Sequence, residues 1–247
     1  MDLTSLFTLI VVVLLVAGTV KGIMGLGLPT ISVGLLGLVM PPMQAAAVVV
    51  VPTFLTNVWQ TFSGPSLPAI LRRFWAMQLG IVVGTYFGGE LMARTNPAQA
   101  KGYLGIALIA YALLGLLRIT FRVARTSERW LGLPMGLATG VANGATGLFV
   151  VPGALYMQSL DLDKDDLVQA FGLTALVASL ALGVVLWRHG ILRTEIAGFS
   201  AVALLPAFIG MALGQRLRNH ISQDLFRRCF FIAMLALGAY LVSRMTF

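Results

Sequence analysis

The chain has 247 residues, 58% of them hydrophobic and 11% charged, with a formal net charge of +8. Soluble domains carry roughly a quarter charged residues, so a water-soluble fold is excluded. The basic residues stand mostly between apolar runs, at Arg72-Arg73, from Arg118 to Arg129, at Arg188 and Arg193, and at Arg216 and Arg218. Arginine in such places anchors helix ends among headgroups, which excludes nucleic acid as the partner and leaves membrane lipid.

Apolar segments are predicted at about 3–20, 26–40, 43–62, 74–93, 99–121, 130–142, 146–160, 166–187, 194–215 and 222–243. The first starts without a basic region and is followed by no small-x-small cleavage site, so it reads as a retained helix. It runs into Lys21-Gly22-Ile23-Met24-Gly25-Leu26-Gly27-Leu28-Pro29, and from Gly22 to Leu71 there is no charged side chain. Segment 43–62 carries Gln44, Thr53, Thr56, Asn57 and Gln60; helical spacing puts Thr53, Asn57 and Gln60 on one face. Segment 74–93 has Gly80, Gly84 and Gly88 at packing intervals, with Glu90 near its end, where it reads as interfacial. Segments 130–142 and 146–160 are short and joined by Asn143-Gly144-Ala145-Thr146-Gly147. Asp161, Asp163, Asp165 and Asp166 precede segment 166–187, where N-terminal capping explains them, and Gln169, Thr174 and Ser179 follow within it. His189 and His220 read as solvated helix-end residues, and Cys229, the single cysteine, as a packing residue that excludes an intramolecular disulfide. No metal-ligand spacing, catalytic triad or cofactor motif is present.

The halves align. From Gly64 onward the chain matches itself from Gly190 at an offset of 126 residues, best at Gly80-x3-Gly84-x3-Gly88 against Pro206-x3-Gly210-x3-Gly214. The match continues through Leu91 with Leu217, Lys101 with Arg227 and Arg118 with Arg244. Upstream, Gln44-Ala45 meets Gln169-Ala170, and Lys21-Gly22-x2-Gly25 meets Asn143-Gly144-x2-Gly147. The expectation is an all-α polytopic membrane protein of about eight elements in two four-element repeats, 1–125 and 126–247. Each repeat begins with a glycine-broken helix or re-entrant hairpin. If the hairpin returns to its own side, each half crosses an odd number of times and the second is inverted relative to the first. The arginines lean toward a cytoplasmic placement of loops 64–73, 122–129 and 216–221.

The two breaks are the candidate site. Irregular backbone at membrane depth survives only inside protein or beside water, and a helix restarting after a break offers free N–H groups and a positive dipole end, which suit an anion. The candidate substrate-binding residues are Lys21, Gly22, Gly25, Gly27, Thr30, Asn57, Gln60, Asn143, Gly144, Thr146 and Gly147. Lys21 either faces the anion, as intramembrane charges at transport sites do, or reaches the headgroups by snorkelling. The hydroxyl and amide face of segment 43–62 either lines a pathway or bonds neighbouring helices.

The glycine-rich break before Leu148-Phe149-Val150-Val151-Pro152, its weaker copy Gly22-Ile23-Met24-Gly25-Leu26-Gly27-Leu28-Pro29-Thr30, and the two four-element halves resemble the sulfite exporter TauE/SafE family over nearly the whole chain. Leu26, Leu28, Ala145 and Thr146 interrupt a glycine run that is denser in many members. The resemblance implies transport of sulfite, sulfonates or related organic anions. The reading is therefore a secondary anion transporter, multi-pass in the cell inner (plasma) membrane, working by alternating access. A structural or accessory subunit, or an intramembrane enzyme, is the alternative. Direction, coupling to a proton or sodium ion, and assembly as a homo-oligomer stay open.

Overall fold

Residues 2–117, 123–192, 200, 202–218 and 220–244 are described by the computed structural model. Every regular element among them is an α-helix, the form that satisfies backbone polar groups within its own segment in hydrocarbon. The helices are α1 (Leu3–Met24), α2 (Leu28–Leu36), α3 (Pro42–Phe62), α4 (Leu67–Ala93), α5 (Pro97–Leu117), α6 (Arg125–Thr146), α7 (Gly153–Gln158), α8 (Lys164–Arg188), α9 (Leu204–Leu217) and α10 (Gln223–Ser243). Helices α1, α3, α5, α8 and α10 are long and apolar enough to cross a bilayer. The polytopic expectation holds. All four tryptophans, Trp59, Trp75, Trp130 and Trp187, are exposed near helix ends, as amphipathic rings at membrane interfaces are.

The direction of each helix follows from its contacts. Lys21 reaches Asn57, and Gly25 reaches Gln60, so α1 and α3 ascend together; their shared C-terminal end is here called the upper end. Gly64 lies against Gln169, Gly172 against Gln60 and Gly183 against Val50, so α8 descends beside α3. Gln78 pairs with Thr174 and Gly89 meets Val185, so α4 descends with α8. Gly136 packs on Met77 and Gly144 on Thr85, so α6 descends too. Since α1 and α3 both rise, the segment between them must return, and since α6 and α8 both descend, so must residues 147–163. Both glycine junctions are hairpins, not kinked single helices.

The two hairpins differ in form. After Gly25 a nine-residue helix forms, with Pro29 in its first turn, where the missing N–H costs nothing. After Gly147 residues 148–150 form no regular element, a cis Val151–Pro152 bond follows, and α7 has only six residues. β-branched Val150 and Val151 followed by proline disfavour a helix there, so the predicted apolar segment 146–160 is helical only over α7 after Gly147. Segment 130–142 is longer than expected, because α6 absorbs the charged stretch from Arg125 at one end and Asn143 to Thr146 at the other.

Two helix pairs make the closest contacts, and each joins the first half of the chain to the second. α1 lies along α9, where a Cβ on Gly18, Gly22, Gly210 or Gly214 would strike backbone carbonyl oxygens of the facing helix. α4 lies along α6, where Gly80, Gly84, Gly88, Gly136, Gly140 and Gly144 do the same. The packing role read for Gly80, Gly84, Gly88, Gly210 and Gly214 is thus met by backbone-to-backbone contact.

Polar groups close the ends. At the upper end Arg73 bonds Glu128 twice, at 2.5 and 2.9 Å, and the Tyr156 hydroxyl donates to the Glu128 carbonyl at 2.9 Å. At the lower end His189 Nε2 lies 3.5 Å from Glu90 Oε1, so His189 is not simply a solvated helix-end residue. Lys101 Nζ donates to the Leu38 carbonyl at 3.3 Å. Pro52 inside α3 leaves the Val48 carbonyl without its helical donor, and Ser200 Oγ supplies one at 2.7 Å. Cys229 is exposed on α10 instead of packed. Arg118, Arg193, the end of predicted segment 99–121 and most of 194–203 lie outside the described residues.

Gly84→Val places two methyls against the α6 backbone and should destabilise the detergent-solubilised protein by about 1–3 kcal/mol. Gly183→Ala, whose added carbon meets only Val50 Cγ2 at 3.7 Å, should leave the thermal unfolding midpoint unchanged or raise it.

Candidate functional site

Lys21 is the single charged side chain among the described residues that is fully enclosed, at 4% exposure. It sits in the last turn of α1, four residues before Gly25. Gly25 adopts φ 77°, and its N–H closes on the Lys21 carbonyl at 2.7 Å; that left-handed cap is what lets the chain leave α1 and turn back. The ammonium does not snorkel. Its Nζ donates to Thr56 Oγ1 at 3.0 Å and to Asn57 Oδ1, both neutral acceptors. No carboxylate of the described residues lies within ion-pair distance. Thr56 Oγ1 in turn donates to the Pro52 carbonyl at 2.8 Å. Removing an ammonium from water costs several kcal/mol even after relaxation, and two neutral hydrogen bonds return only part of that.

One turn above, Gln60 Nε2 donates to the Gly25 carbonyl at 3.3 Å and to the Val168 carbonyl of α8 at 2.9 Å. One turn below, Thr53 lines a small central cavity of about 10 Å³, shared with Pro29 and Val33 of α2, Asn143 and Gly147 at the end of α6, Phe149, and Ser179 of α8. That is room for about one water. The face of α3 expected from spacing is real, and it stacks a bridge (Gln60), a lysine cradle (Thr56, Asn57) and a cavity wall (Thr53) in order.

The second junction copies the first in its cap. Gly147 has φ 75° and its N–H closes on the Asn143 carbonyl at 2.7 Å, so Asn143 holds the position that Lys21 holds before Gly25. Its amide donates to Thr85 Oγ1 at 3.1 Å and to the Ala178 carbonyl at 2.9 Å. Thr146 Oγ1 donates to the Ala142 carbonyl at 2.7 Å and accepts from the Leu148 N–H at 3.2 Å, finishing the helix.

Of the sequence-derived residues, the structure gathers Lys21, Asn57, Gln60 and Gly25 at one place and Asn143 and Gly147 at the cavity. Gly27 is the N-cap of α2 at φ 110°, and Thr30 in its first turn is buried. Gly22 and Gly144 lie inside helices, against the backbones of α9 and α4. The left-handed glycines themselves do not meet. Gly25 is level with Gln60, and Gly147 lies against Ala46 and Val33, about 21 Å apart by helical rise along α3. What converges between them is the start of α2 and the end of α6. No helix of useful length restarts after Gly147, so only α2 offers an N-terminal dipole. Gln169 bonds the Thr61 and Gly64 carbonyls and accepts from the Ser66 N–H, which assigns it to the α3–α4 turn. Gln44 is exposed.

Thr53, Thr56 and Ser179 were absent from the sequence-derived site set. For Thr53 and Thr56 a signal existed, because they share the polar face of α3; Ser179 had only its place in a polar series on α8. Six enclosed polar atoms among the described residues find no hydrogen-bond partner in the protein: the Thr30, Ser32 and Thr53 hydroxyls, the Asn57 amide nitrogen, Gln78 Oε1 and His189 Nε2. Buried polar groups are normally paired, and the first four lie on α2 and α3, the helices that supply Pro29, Val33 and Thr53 to the cavity and Thr56 and Asn57 to Lys21.

Substituting a cradle residue separates charge from fold. Asn57→Leu should lower stability by about 1.5–3 kcal/mol, the worth of a hydrogen bond to a charged group. Adding Lys21→Met to that background should recover most of the loss, since it removes the stranded ammonium; unfolding midpoints of the single and double variants measure this.

Compared with known families, residues 10–241 match the family model described as Sulfite exporter TauE/SafE. No curated protein and no solved structure matches the chain.

Proposed function

Because the chain belongs to the sulfite exporter TauE/SafE family, whose members are membrane transporters and not enzymes, we propose that it moves a small sulfur-containing or organic oxyanion across the membrane by alternating access, with Lys21 as the counter-charge. The observation that carries this reading is the enclosed Lys21 side chain, whose Nζ has neutral partners only. A buried cation without a carboxylate is a standing cost, and a passing anion offsets it. The unpartnered Asn57 amide, beside Lys21 on α3, and the Thr53 hydroxyl supply donors to oxyanion oxygens, and Thr30 and the N-terminus of α2 supply a further donor set.

The central cavity is far smaller than an oxyanion, so this arrangement corresponds to an occluded state. Above it, the Gln60 bridge between Gly25 and Val168 closes the way. Below it, Gly147 rests on Ala46 and Val33. Opening either side means separating residues that belong to different halves of the chain. The helix directions support a two-repeat inverted design over 1–125 and 126–247: α1 rises and α6 descends, α3 rises and α8 descends, and the caps before Gly25 and Gly147 share one geometry. On this reading Lys21 and Asn143 are counterparts, and only one half carries the charge.

Orientation follows from basic residues. Arg72, Arg73, Arg125, Arg129, Arg216, Arg218, Arg227 and Arg228 stand at the upper end, against Arg94, Lys101, Arg188 and Arg244 at the lower. The upper end is cytoplasmic by the positive-inside rule, in the plasma membrane, and the described residues of loops 64–73, 122–129 and 216–221 lie on that side.

Proteoliposomes loaded with sulfite, thiosulfate, sulfoacetate or chloride test the reading. Flux of at least one sulfur oxyanion above that of chloride is expected. Lys21→Gln should lower it roughly 10- to 100-fold, the equivalent of about 1.5–3 kcal/mol of charge-assisted binding. Folded protein without flux of any of these anions would remove the transporter reading, and undiminished flux in Lys21→Gln would remove Lys21 from it.

A further inference from the structure

A chamber with a volume of about 500 Å³ opens at the upper end. This is within the range of small-molecule sites. Met24 and Leu26, on either side of Gly25, form part of its wall, and Leu167 and Val168 of α8 form another part. Those are the two strands of chain that Gln60 bridges. The amide of Gln60 therefore stands between this chamber and the Lys21 cradle one turn below. Polar groups enter from the C-terminal half: Arg218 at the end of α9, Arg227 and Asp224 on α10, and Gln158 at the end of α7. The rest of the lining is apolar and aromatic, including Phe171 and Phe231.

We propose that this chamber is an antechamber that captures the anion before it reaches Lys21, with Arg218 and Arg227 as its binding groups. It rests on the transport reading and assigns to it a first station and a preferred substrate class. Two guanidiniums against one carboxylate give the chamber a positive field, and low-dielectric walls focus that field on the mouth. Guanidiniums present planar forks of donors that suit oxyanions. The apolar walls have no use for a bare inorganic oxyanion but suit a carbon chain, so the chamber favours an organic oxyanion, whose charged head meets the arginines and whose apolar part meets Leu155, Phe171 and Phe231. Passage inward then requires the Gln60 amide to release the Val168 carbonyl.

The same arginine chemistry would hold the phosphate of a lipid headgroup, and the test separates the two. Cys229→Ser with Gln158→Cys leaves one reporter thiol on the chamber wall; Leu155→Cys gives a second, should the first fail to fold. The reporter is labelled in phosphatidylcholine vesicles by the anionic sulfonatoethyl and the cationic trimethylammonium-ethyl methanethiosulfonates, each rate taken relative to a free thiol. The anionic reagent should be favoured roughly tenfold. Arg218→Gln with Arg227→Gln should abolish the preference, and isethionate should slow the anionic reagent. Absence of a preference, or its survival in the double variant, would overturn the antechamber. So would loss of the preference on adding phosphatidylglycerol without any effect of isethionate, which would assign the arginines to headgroups. Labelling needs no transport, so normal flux with no charge preference would sink the antechamber alone. Charge-selective labelling without flux of any anion would sink the transport reading and leave only an anion-binding chamber.

Discussion

Backbone touches backbone where the first half of the chain meets the second. α1 on α9 and α4 on α6 approach so closely that a single β-carbon at the glycines would collide with main-chain carbonyls. In lipid no hydrophobic force separates helix–helix from helix–lipid contact, so close packing of this kind is what holds helices together. Once those two pairs are locked, the remaining geometry has few options. α1 is held upright beside α3, α6 beside α4 and α8, and each glycine hairpin must fold into the space between them.

The charge depends on that frame. Lys21 lies one residue before Gly22, the glycine that seats α1 on α9, and its side chain points the other way, to Thr56 and Asn57 of α3. Clasped on one side, α1 has no freedom to rotate the ammonium outward. The cost of holding it inside is met by the packing of neutral residues elsewhere, and the site is poised because the offset within it is incomplete. The unpartnered hydroxyls of Thr30, Ser32 and Thr53 express the same imbalance in neutral form.

Much of this was legible in the sequence. Runs of apolar residues reported the helices, and proline and glycine spacing reported the junctions at Gly25 and Gly147, because a left-handed cap needs glycine and few other signals compete with it. The side of α3 that carries Thr53, Asn57 and Gln60 followed from helical period alone. Other features were hidden for physical reasons. Gly22 and Gly144 look like part of a break when read along the chain, yet each is a contact with a helix remote in sequence. Residues 148–152 and α2 both follow a glycine and both contain a proline, but in the first the β-branched Val150 and Val151 precede the proline, and that order sets an irregular run apart from a helix. The chamber with Arg218 and Arg227 collects residues from five separate stretches of chain, and no local pattern announces such a meeting.

The clasp also has a history within each molecule. Lys21 meets Thr56 and Asn57 after some 36 residues of chain, whereas the glycine face of α1 waits for α9, which begins 180 residues after α1 ends (204 minus 24). At ribosomal rates of about 5–20 residues per second, that interval is on the order of 10–40 s. The charge is covered early and the seam late. During the wait, α1 presents a smooth glycine groove to whatever helix, lipid or insertion factor is beside it, and α9, emerging near the end of translation, completes the molecule by displacing that occupant.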